Sequence, residues 1–227
     1  MTLWWAMRKV RHQIALPEAP ALRPTAPPGP SWRRLTGRIA CHSRWAISLA
    51  RNLLASRRLP VIQPATFREY RIGGLDPDDL PGIRVLHRNL RGRADMTLWR
   101  RWLYRLRGPS LLIVVKNRSG EAVGFEMFYF ETSGARGGVI HAAFIGVAPQ
   151  YRNVGIATAM HRLSIRHFSA AGLSAITARV REDHPVSLRS AKACSFRIAK
   201  TIPGRDGIAT LELIRQLDSS CDRTPGQ

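Results

Sequence analysis

Residues 147–157 have the composition of an anion-binding turn at the start of a helix. Pro149 ends the strand before the turn, because proline cannot donate to a strand hydrogen-bond ladder. The first N–H groups of the helix that follows have no partner within the helix, and the helix dipole adds positive potential there. Gly155 removes a side chain where an anion must come close, and Arg152 can add a charge-assisted contact. The segment therefore predicts an anion site made mainly of backbone, formed by Arg152, Asn153, Val154, Gly155, Ile156 and Ala157.

The residues from 65 onward predict the elements that position this turn. Hydrophobic periodicity and turn residues give the order strand, two helices, three strands, helix, strand, helix and two strands, with no internal repeat. The predicted strands cover 67–72, 111–116, 122–130, 139–147, 173–180, 196–202 and 208–214. The predicted helices run from Asp76 through Leu90, from Asp95 or Thr97 to Gly108–Pro109, from Thr158 to Phe168, and from Pro185 to Cys194.

Helix caps and apolar spacing support these helices. Asp76 followed by Pro77 is typical of a helix start, and Asp183 is the predicted cap of the last helix. The second helix repeats Leu98, Trp102 and Leu106 every four residues, and Gly108–Pro109 is predicted to end it.

The turn and its setting resemble the GCN5-related N-acetyltransferase (GNAT) superfamily. The pattern of that superfamily is Gln/Arg-x-x-Gly-x-Gly/Ala, often preceded by Val-x-Pro-x-Tyr-Arg, and residues 147–157 follow it. The order of elements matches as well, so the resemblance covers roughly residues 65–215. It implies an α/β (α+β) fold with a mixed, mostly antiparallel central sheet, helices on both faces and a splayed cofactor cleft between two strands.

The resemblance also implies how a cofactor binds. Acetyl-CoA, or another acyl-CoA, would be the co-substrate, with its pyrophosphate on the turn and no metal involved. Its pantetheine arm would pair with the backbone of residues 144–147, including Ile145 and Val147, and a backbone N–H near Val147 would bind the thioester oxygen. Gly146 has two interpretations: it permits the bulge that opens the cleft, or it only accommodates packing.

A second family motif lies near the last helix, and this sequence departs from it. Ser187 and Phe196 match the motif, whereas His184 replaces an Asn, Ser195 a Gly and Ala191 a Tyr. In the family that Tyr usually protonates the departing thiolate, so its role here falls to Ser190, to Cys194 or to water. Ser187 remains a candidate cofactor contact.

A general base must remove a proton from the attacking amine. His141 lies on the cofactor strand where some family members place a base carboxylate, and the imidazole pKa near 6.5 suits the task. The alternative is a half-buried strand histidine with a hydrogen-bond partner. Glu126 and Glu131 on the preceding strand are rival bases, although glutamates on an antiparallel strand are more often on its solvated face.

The net charge of +21 favours acidic partners, although it can also reflect genome composition. Nucleic acid is an unlikely partner, since no recognition helix, stacking strand or zinc finger is visible. Three distant cysteines argue against a disulfide framework and a zinc site, and fit a reducing, cytoplasmic location. No apolar run approaches the roughly 18 residues that a bilayer crossing needs.

Composition separates a basic Pro/Arg-rich extension at 1–64, expected to be partly disordered, from the rest of the chain. The resemblance implies a GNAT N-acyltransferase domain at 65–217, and a loose tail is expected at 218–227. Before residue 65 the only acidic residue is Glu18, against eleven arginines and lysines. Residues 31–59 have the spacing of a basic amphipathic helix, which could contact an anionic membrane or an acidic carrier protein. A cap helix, a loose tail from an over-extended start and a transit peptide are the alternatives.

The leading hypothesis is an N-acyltransferase that moves an acyl group from acyl-CoA to a primary amine, working as a monomer or homodimer. The acceptor is a small molecule or a protein. A GNAT-fold module that binds CoA or a partner with little turnover is the alternative from a different class, and a membrane or nucleic-acid binder is the third.

Overall fold

One eight-stranded sheet forms the centre of the protein in a computed structural model, which describes residues 45–132, 134 and 137–217. The strands are β1 (Ala65–Phe67), β2 (Tyr70–Gly74), β3 (Leu112–Lys116), β4 (Ala122–Tyr129), β5 (Val139–Val147), β6 (Ala175–Arg181), β7 (Arg197–Ile202) and β8 (Thr210–Gln216). Their order in the sheet is β1-β2-β3-β4-β5-β6-β8-β7. Neighbouring strands are antiparallel except β5 and β6, which are parallel.

Helices cover both faces of this sheet. They are α1 (45–56), α2 (Leu80–Leu90), α3 (Leu98–Leu111), α4 (Ile156–Ala170) and α5 (Pro185–Lys192). Trp99 of α3 contacts Tyr129 of β4, whereas His161 of α4 contacts Glu126 of the same strand. Residues 126 and 129 point to opposite faces because side chains alternate along a strand. The predicted fold class is therefore confirmed. Within the described residues, no helix combines the length and apolarity that crossing a membrane requires.

The core is centred on β3 and β4. Leu112, Ile113, Val114 and Val115 of β3 are all buried, as expected for a strand covered on both faces. Phe128 packs edge-on against Phe168 of α4 at 4.7 Å between ring centroids. On the other side, the buried Tyr104 hydroxyl of α3 donates a hydrogen bond to the Phe128 carbonyl oxygen at 3.1 Å. The helices on the two faces of the sheet are therefore both anchored to β4, the neighbour of β5.

The strand predicted at 67–72 is a hairpin instead, and that prediction was wrong. β1 and β2 pair with Phe67 opposite Tyr70, so Arg68 and Glu69 form a two-residue turn. Arg68 has a φ of 54°, a left-handed conformation that is uncommon for residues other than glycine. Because the turn lacks Gly, Asn and Pro, nothing in its composition indicates a reversal.

The predicted end of α3 at Gly108–Pro109 was also wrong, since the helix continues to Leu111. The Pro109 carbonyl oxygen accepts a hydrogen bond from the Ile62 N–H at 2.9 Å, which ties the last turn to the core. A Cβ at Gly108 would lie 2.5 Å from Leu75 Cδ2, so this glycine serves close packing rather than termination.

The apolar stripe used to predict α3 does not face the core. Leu98, Trp102 and Leu106 are 59%, 51% and 56% exposed, whereas Leu103 and Tyr104 of the same helix are fully buried. The period of the stripe was right for a helix, but the helix buries its other face.

One predicted helix cap is present and two are absent. Asp76 accepts a hydrogen bond from the Asp78 N–H at 3.2 Å, which confirms the first cap. Thr97 occupies the N-cap of α3 without a side-chain hydrogen bond. His184, not Asp183, is the N-cap of α5, and it makes no side-chain cap hydrogen bond. The Asp183 carboxylate instead accepts from the Arg181 guanidinium at 3.1 and 3.0 Å.

The described part of the predicted amphipathic helix packs against the domain. Residues 45–56 are helical, and residues 31–44 lie outside the described chain. Leu59 and Ile62 are buried in the same core as the sheet. Asn52 is fully buried, and its side chain accepts from the Phe130 N–H at 2.6 Å and donates to the Phe130 carbonyl oxygen at 3.2 Å. The core therefore continues upstream of residue 65, at least as far as Asn52.

Asn52→Ala is expected to lower the free energy of unfolding by about 2–3 kcal/mol, because the buried Phe130 N–H would lose its partner. The neighbouring Arg51→Ala is the control, since Arg51 makes only an exposed hydrogen bond to Thr132 and a long one to Phe130. It should cost less than about 1 kcal/mol. Urea unfolding measures both variants, and equal costs would show that α1 is not part of the cooperative domain.

Candidate functional site

The turn between β5 and α4 presents unpaired N–H groups. A short 3₁₀ turn, Pro149–Tyr151, follows β5, and α4 begins at Ile156 after a left-handed Gly155 with a φ of 94°. Asn153 is left-handed too, with a φ of 64°. The first backbone hydrogen bond of α4 runs from the Ala159 N–H to the Gly155 carbonyl oxygen. Within the described chain, the N–H groups at 156–158 therefore donate to no backbone oxygen, and an anion can accept from them.

Side chains around the turn fix its position. The Arg152 Nε donates to the Val147 carbonyl oxygen at 3.0 Å, so this arginine links the two ends of the turn. The Tyr151 hydroxyl accepts from the Asn117 side chain at 3.2 Å, and its ring meets Tyr70 of β2 edge-on. Ile156 is only 2% exposed, so it can offer a ligand its backbone alone. The turn is thus held in place by the sheet before any ligand arrives.

The sheet opens between β5 and β6 just before this turn. Their parallel pairing runs from Val139 opposite Ala175 to Ala142 opposite Ala178 and stops there. β5 continues to Val147, paired only with β4 on its other side. Among the described strands, the β6-facing edge of residues 143–147, which include Ile145, thus has no partner. A ligand chain of peptide-like chemistry can occupy that edge as an extra strand.

The bulge that accompanies the opening is at Ala143, and the suggestion that it lies at Gly146 was wrong. Met127 pairs with Phe144 and Phe128 with Ala142, which leaves Ala143 as the extra residue of β5. A glycine is required at position 146 for close packing, because a Cβ there would lie 2.6 Å from Leu90 Cδ1 and 2.7 Å from a Phe144 ring carbon. The packing interpretation of Gly146 is therefore the one that its surroundings support.

His141 lies one residue before the strands separate. It is buried, and its Nδ1 is 3.0 Å from the Thr177 hydroxyl of β6. Its Nε2 is 4.0 Å from Glu131 Oε1, and its ring lies edge-on to Tyr129. Burial is the largest influence and lowers the pKa of His141, while the Glu131 carboxylate opposes that effect only in part. The imidazole is therefore neutral at neutral pH, as a general base must be.

Glu126 has a different environment from the solvated one expected of it. Its carboxylate is fully buried, with Oε1 2.8 Å from Nδ1 of His161 on α4. Although burial lowers the pKa of His161, the charge of Glu126 and its hydrogen bond together outweigh burial, and the net change is upward. Strand alternation places Glu126 on the α4 face, whereas Tyr129 and the His141 ring that it contacts are on the α3 side. Glu126 is therefore separated from the other candidate bases by the sheet.

Glu131 is held by Arg179 of β6 in a two-point contact. The two guanidinium nitrogens donate to its two carboxylate oxygens at 2.7 and 3.0 Å. Burial raises the pKa of Glu131, but Arg179, His141 and Tyr129 together outweigh burial, and the pKa lies below its usual range. An ionised carboxylate of that kind is a weak base for an ammonium proton.

The candidate proton donors on α5 and just after it already have partners. Ser190 Oγ donates to the Ser187 carbonyl oxygen at 2.9 Å, and Cys194 Sγ lies 3.7 Å from the Thr158 carbonyl oxygen. Cys194 is buried, and burial raises the pKa of its thiol. Among the residues that the structure describes, no three His, Cys, Asp or Glu side chains are grouped to hold a metal ion.

Sequence reasoning missed Thr177 and Arg179 of β6 and His161 of α4. The β6 residues could have been found, because Thr177, Arg179 and Arg181 alternate with smaller apolar residues and so share one face. His161 could not, since its pairing with Glu126 depends on how α4 packs on β4.

Comparisons with known proteins bear on the family and the fold of the chain. The sequence profile of the Acetyltransferase (GNAT) family matches residues 82–196, which include β5, the turn and α5. Among curated proteins, no relative matches the chain.

Solved acetyltransferases have a similar fold at low sequence identity. An N-acetyltransferase from Staphylococcus aureus Mu50 aligns with a TM-score of 0.56 and 18% identity, over 66% of this chain and 99% of that one. The ribosomal-protein-S18-alanine N-acetyltransferase from Escherichia coli aligns with a TM-score of 0.53 and 14% identity, over 70% of this chain and 99% of that one. A chain of the NatC complex bound to Gag peptide and CoA aligns with a TM-score of 0.56 and 14% identity, over 66% of this chain and 99% of that one.

The profile covers half of the chain, and it spans the strand, the turn and the helix that build the candidate anion site. The chain therefore belongs to the Acetyltransferase (GNAT) family.

Proposed function

We propose that the protein is an N-acyltransferase that moves an acetyl or other acyl group from acyl-CoA to a primary amine. One observation carries the proposal: the unpaired N–H groups at the start of α4 directly follow the strand edge that loses its partner after Ala142. A diphosphate and a chain with amide groups, joined in one molecule, match these two features in the same order.

The binding mode follows from that match. The pyrophosphate would accept hydrogen bonds from the N–H groups of residues 153–157, with the Arg152 charge nearby. Pantetheine amides would pair with the free edge at 144–147, including Ile145 and Val147. Ser187, at the start of α5, would contact the same arm from the β6 side of the cleft.

The reaction removes two protons from the ammonium nitrogen, one before and one after attack, and exchanges a carbon–sulfur bond for a carbon–nitrogen bond. The acceptor ammonium gives a proton to His141 Nε2, and the neutral amine nitrogen attacks the thioester carbonyl carbon. A backbone N–H near Val147 would stabilise the negative carbonyl oxygen. The carbon–sulfur bond breaks as the amide forms, and the nitrogen gives its second proton to water, which balances the proton that the thiolate takes up. The products are therefore the N-acyl amine, the CoA thiol and one further proton, which His141 returns to water.

The departing thiolate takes its proton from water or from Ser190. Ser190 would first have to release the Ser187 carbonyl oxygen, to which its hydroxyl now donates. Ala191 occupies the position of the usual tyrosine and offers no donor. Protonation from water is therefore the simpler route, and it requires no rearrangement of α5.

Ala191 also favours a second candidate function, a CoA-binding or partner-docking module with little turnover. The two candidates differ in one measurable quantity, which is thiol release that depends on an added amine.

The acceptor is a small amine or a protein amine. The structurally similar Escherichia coli enzyme is an alanine N-acetyltransferase of a ribosomal protein, and NatC was solved with a peptide, so polypeptide N-termini belong in the acceptor screen. An acidic carrier protein or an anionic membrane remains a candidate partner for residues 31–59. Only the last part of that segment is described, and it packs on the domain.

The proposal is tested in two steps. The full chain is first melted with a panel of acyl-CoA esters, and acetyl-CoA is expected to raise the melting temperature. An amine and peptide screen with a thiol reagent then follows. Amine-dependent thiol release supports the enzyme, and stabilisation without release supports the CoA-binding module. No stabilisation by any ester contradicts both of these and leaves the partner-docking module.

A further inference from the structure

An ion pair crosses over the strand that carries His141. Glu131 is the second residue after the end of β4, Arg179 is on β6, and β5 lies between those two strands. The two-point contact between Glu131 and Arg179 therefore spans β5 on the face where His141 lies. Glu131 Oε1 is the carboxylate oxygen that both receives the shorter Arg179 bond, at 2.7 Å, and faces His141 Nε2, at 4.0 Å.

β6 holds the imidazole and its carboxylate neighbour from a single strand face. Thr177 contacts Nδ1 of His141, and Arg179, two residues later, binds Glu131. Arg179 is itself held from the other side by Glu212 of β8, with Nε 3.8 Å from the carboxylate. The position of Glu131 thus depends on a guanidinium with two anchors, and both ring nitrogens of His141 face a fixed oxygen.

We propose that Glu131, anchored by Arg179, is a positioning residue that orients the His141 imidazole and stabilises its protonated form during amine deprotonation. The inference rests on the proposed function, in which His141 takes the proton. It assigns Glu131 a role through His141 rather than as a base in its own right. Arg179 supports that division, because the carboxylate that it binds at two points stays ionised and is a weak proton acceptor.

The charges around His141 set the sign of the expected effects. Glu131 and Glu212 favour the imidazolium, whereas Arg179, Arg100 of α3 and burial disfavour it. Arg100 lies 4.9 Å above the Tyr129 ring, and burial raises the pKa of Tyr129, so this phenol is uncharged at neutral pH. Glu131 has the largest effect among the charges, and its removal should therefore lower the pKa of His141.

Three variants separate charge from orientation. Glu131→Gln removes both the negative charge near His141 and the ion pair that fixes the position of residue 131. Arg179→Lys keeps the positive charge but loses the two-point contact that a guanidinium makes with a carboxylate, so Glu131 stays charged but is no longer fixed. Glu212→Gln is the matched control, since it removes a carboxylate from the other side of the same arginine, farther from the imidazole.

The first readout needs no turnover. The full chain is labelled at histidine ring carbons, the His141 resonance is assigned with His141→Gln, and its pKa is measured by NMR titration. The pKa of His141 is expected to fall clearly in Glu131→Gln and less in Glu212→Gln. With acetyl-CoA and an active amine, kcat is expected to fall about 10- to 100-fold in Glu131→Gln, a part of the 10²–10⁴ that general base catalysis provides. Arg179→Lys should lose kcat to a similar degree, and KM for acetyl-CoA should change little in either variant.

The outcomes distinguish this inference from the proposed function. An unchanged His141 pKa together with an unchanged kcat in Glu131→Gln would overturn the inference while leaving the acyltransferase intact. Absence of amine-dependent thiol release in the wild-type protein would instead refute the proposed function, and the NMR titration would still report whether Glu131 controls His141. Equal changes of the His141 pKa in Glu131→Gln and Glu212→Gln would also contradict the role given to Glu131, because they would indicate a general charge effect.

Discussion

Gly155→Ala is expected to weaken acetyl-CoA binding about 10- to 100-fold. Gly155 is left-handed at a φ of 94°, a conformation that costs an alanine roughly 1–2 kcal/mol. A Cβ there would also lie 3.3 Å from Cζ of Phe67, so the ring must give by a few tenths of an ångström. We expect the backbone strain at this φ to be relieved by a shift of the turn. A shifted turn loses at least one charge-assisted hydrogen bond to the pyrophosphate, worth about 1.5–3 kcal/mol, and each 1.4 kcal/mol is tenfold in affinity.

Gly172→Ala is the matched control for that variant. Gly172 follows the other end of α4, it is left-handed at a φ of 75°, and a Cβ there would meet nothing within 4 Å. Both variants therefore carry a similar backbone strain, but only Gly155 is in the candidate phosphate turn. Calorimetric titration with acetyl-CoA compares them at a temperature where both are folded. Equal affinities in the two variants would place the pyrophosphate elsewhere and remove the main support for the proposed function.

The backbone of the turn between β5 and α4 could be predicted from the sequence because the constraints on it are local. Pro149 must end a strand and Gly155 permits a left-handed residue, and both constraints act within a few residues of chain. β5 was predicted with its observed bounds, Val139–Val147, for a similar reason: turns and proline delimit it on both sides. By contrast, the turn at Arg68 has no residue that favours a positive φ, so the β1–β2 hairpin leaves no trace in composition.

The environment of Glu126 could not be predicted, because it depends on contacts between distant parts of the chain. Alternation along β4 separates Glu126 from Tyr129, but it does not say which face a helix covers. That is decided by α4, which brings His161 to within 2.8 Å of the carboxylate. The same limit explains α3, where spacing identified a helix through Leu98 and Trp102 but could not identify the buried side.

His141→Gln is expected to lower kcat/KM for the amine by about 10²–10⁴-fold, the usual contribution of a positioned general base. Glutamine preserves much of the side-chain volume beside Tyr129 and Thr177 but cannot accept a proton at neutral pH. His167→Gln is the control, since His167 is another buried histidine, near the far end of α4 and outside the proposed site. It should retain activity, and both variants should bind acetyl-CoA as the wild type does.

The pH dependence of the wild-type enzyme provides the stricter test of His141. Because burial lowers its pKa from 6.5, kcat/KM should rise with pH through an acid limb centred below 6.5 and then level off. The free energy of unfolding should also fall with decreasing pH, because the unfolded chain binds this proton at a higher pH than the folded one. The loss begins near pH 6.5 and continues down to the pKa of His141 in the folded protein. His141→Gln should abolish the acid limb of the rate and remove this share of the loss in stability. An acid limb that persists in the variant would assign the base to another group, and a limb centred above 6.5 would mean that the imidazole is not buried during turnover.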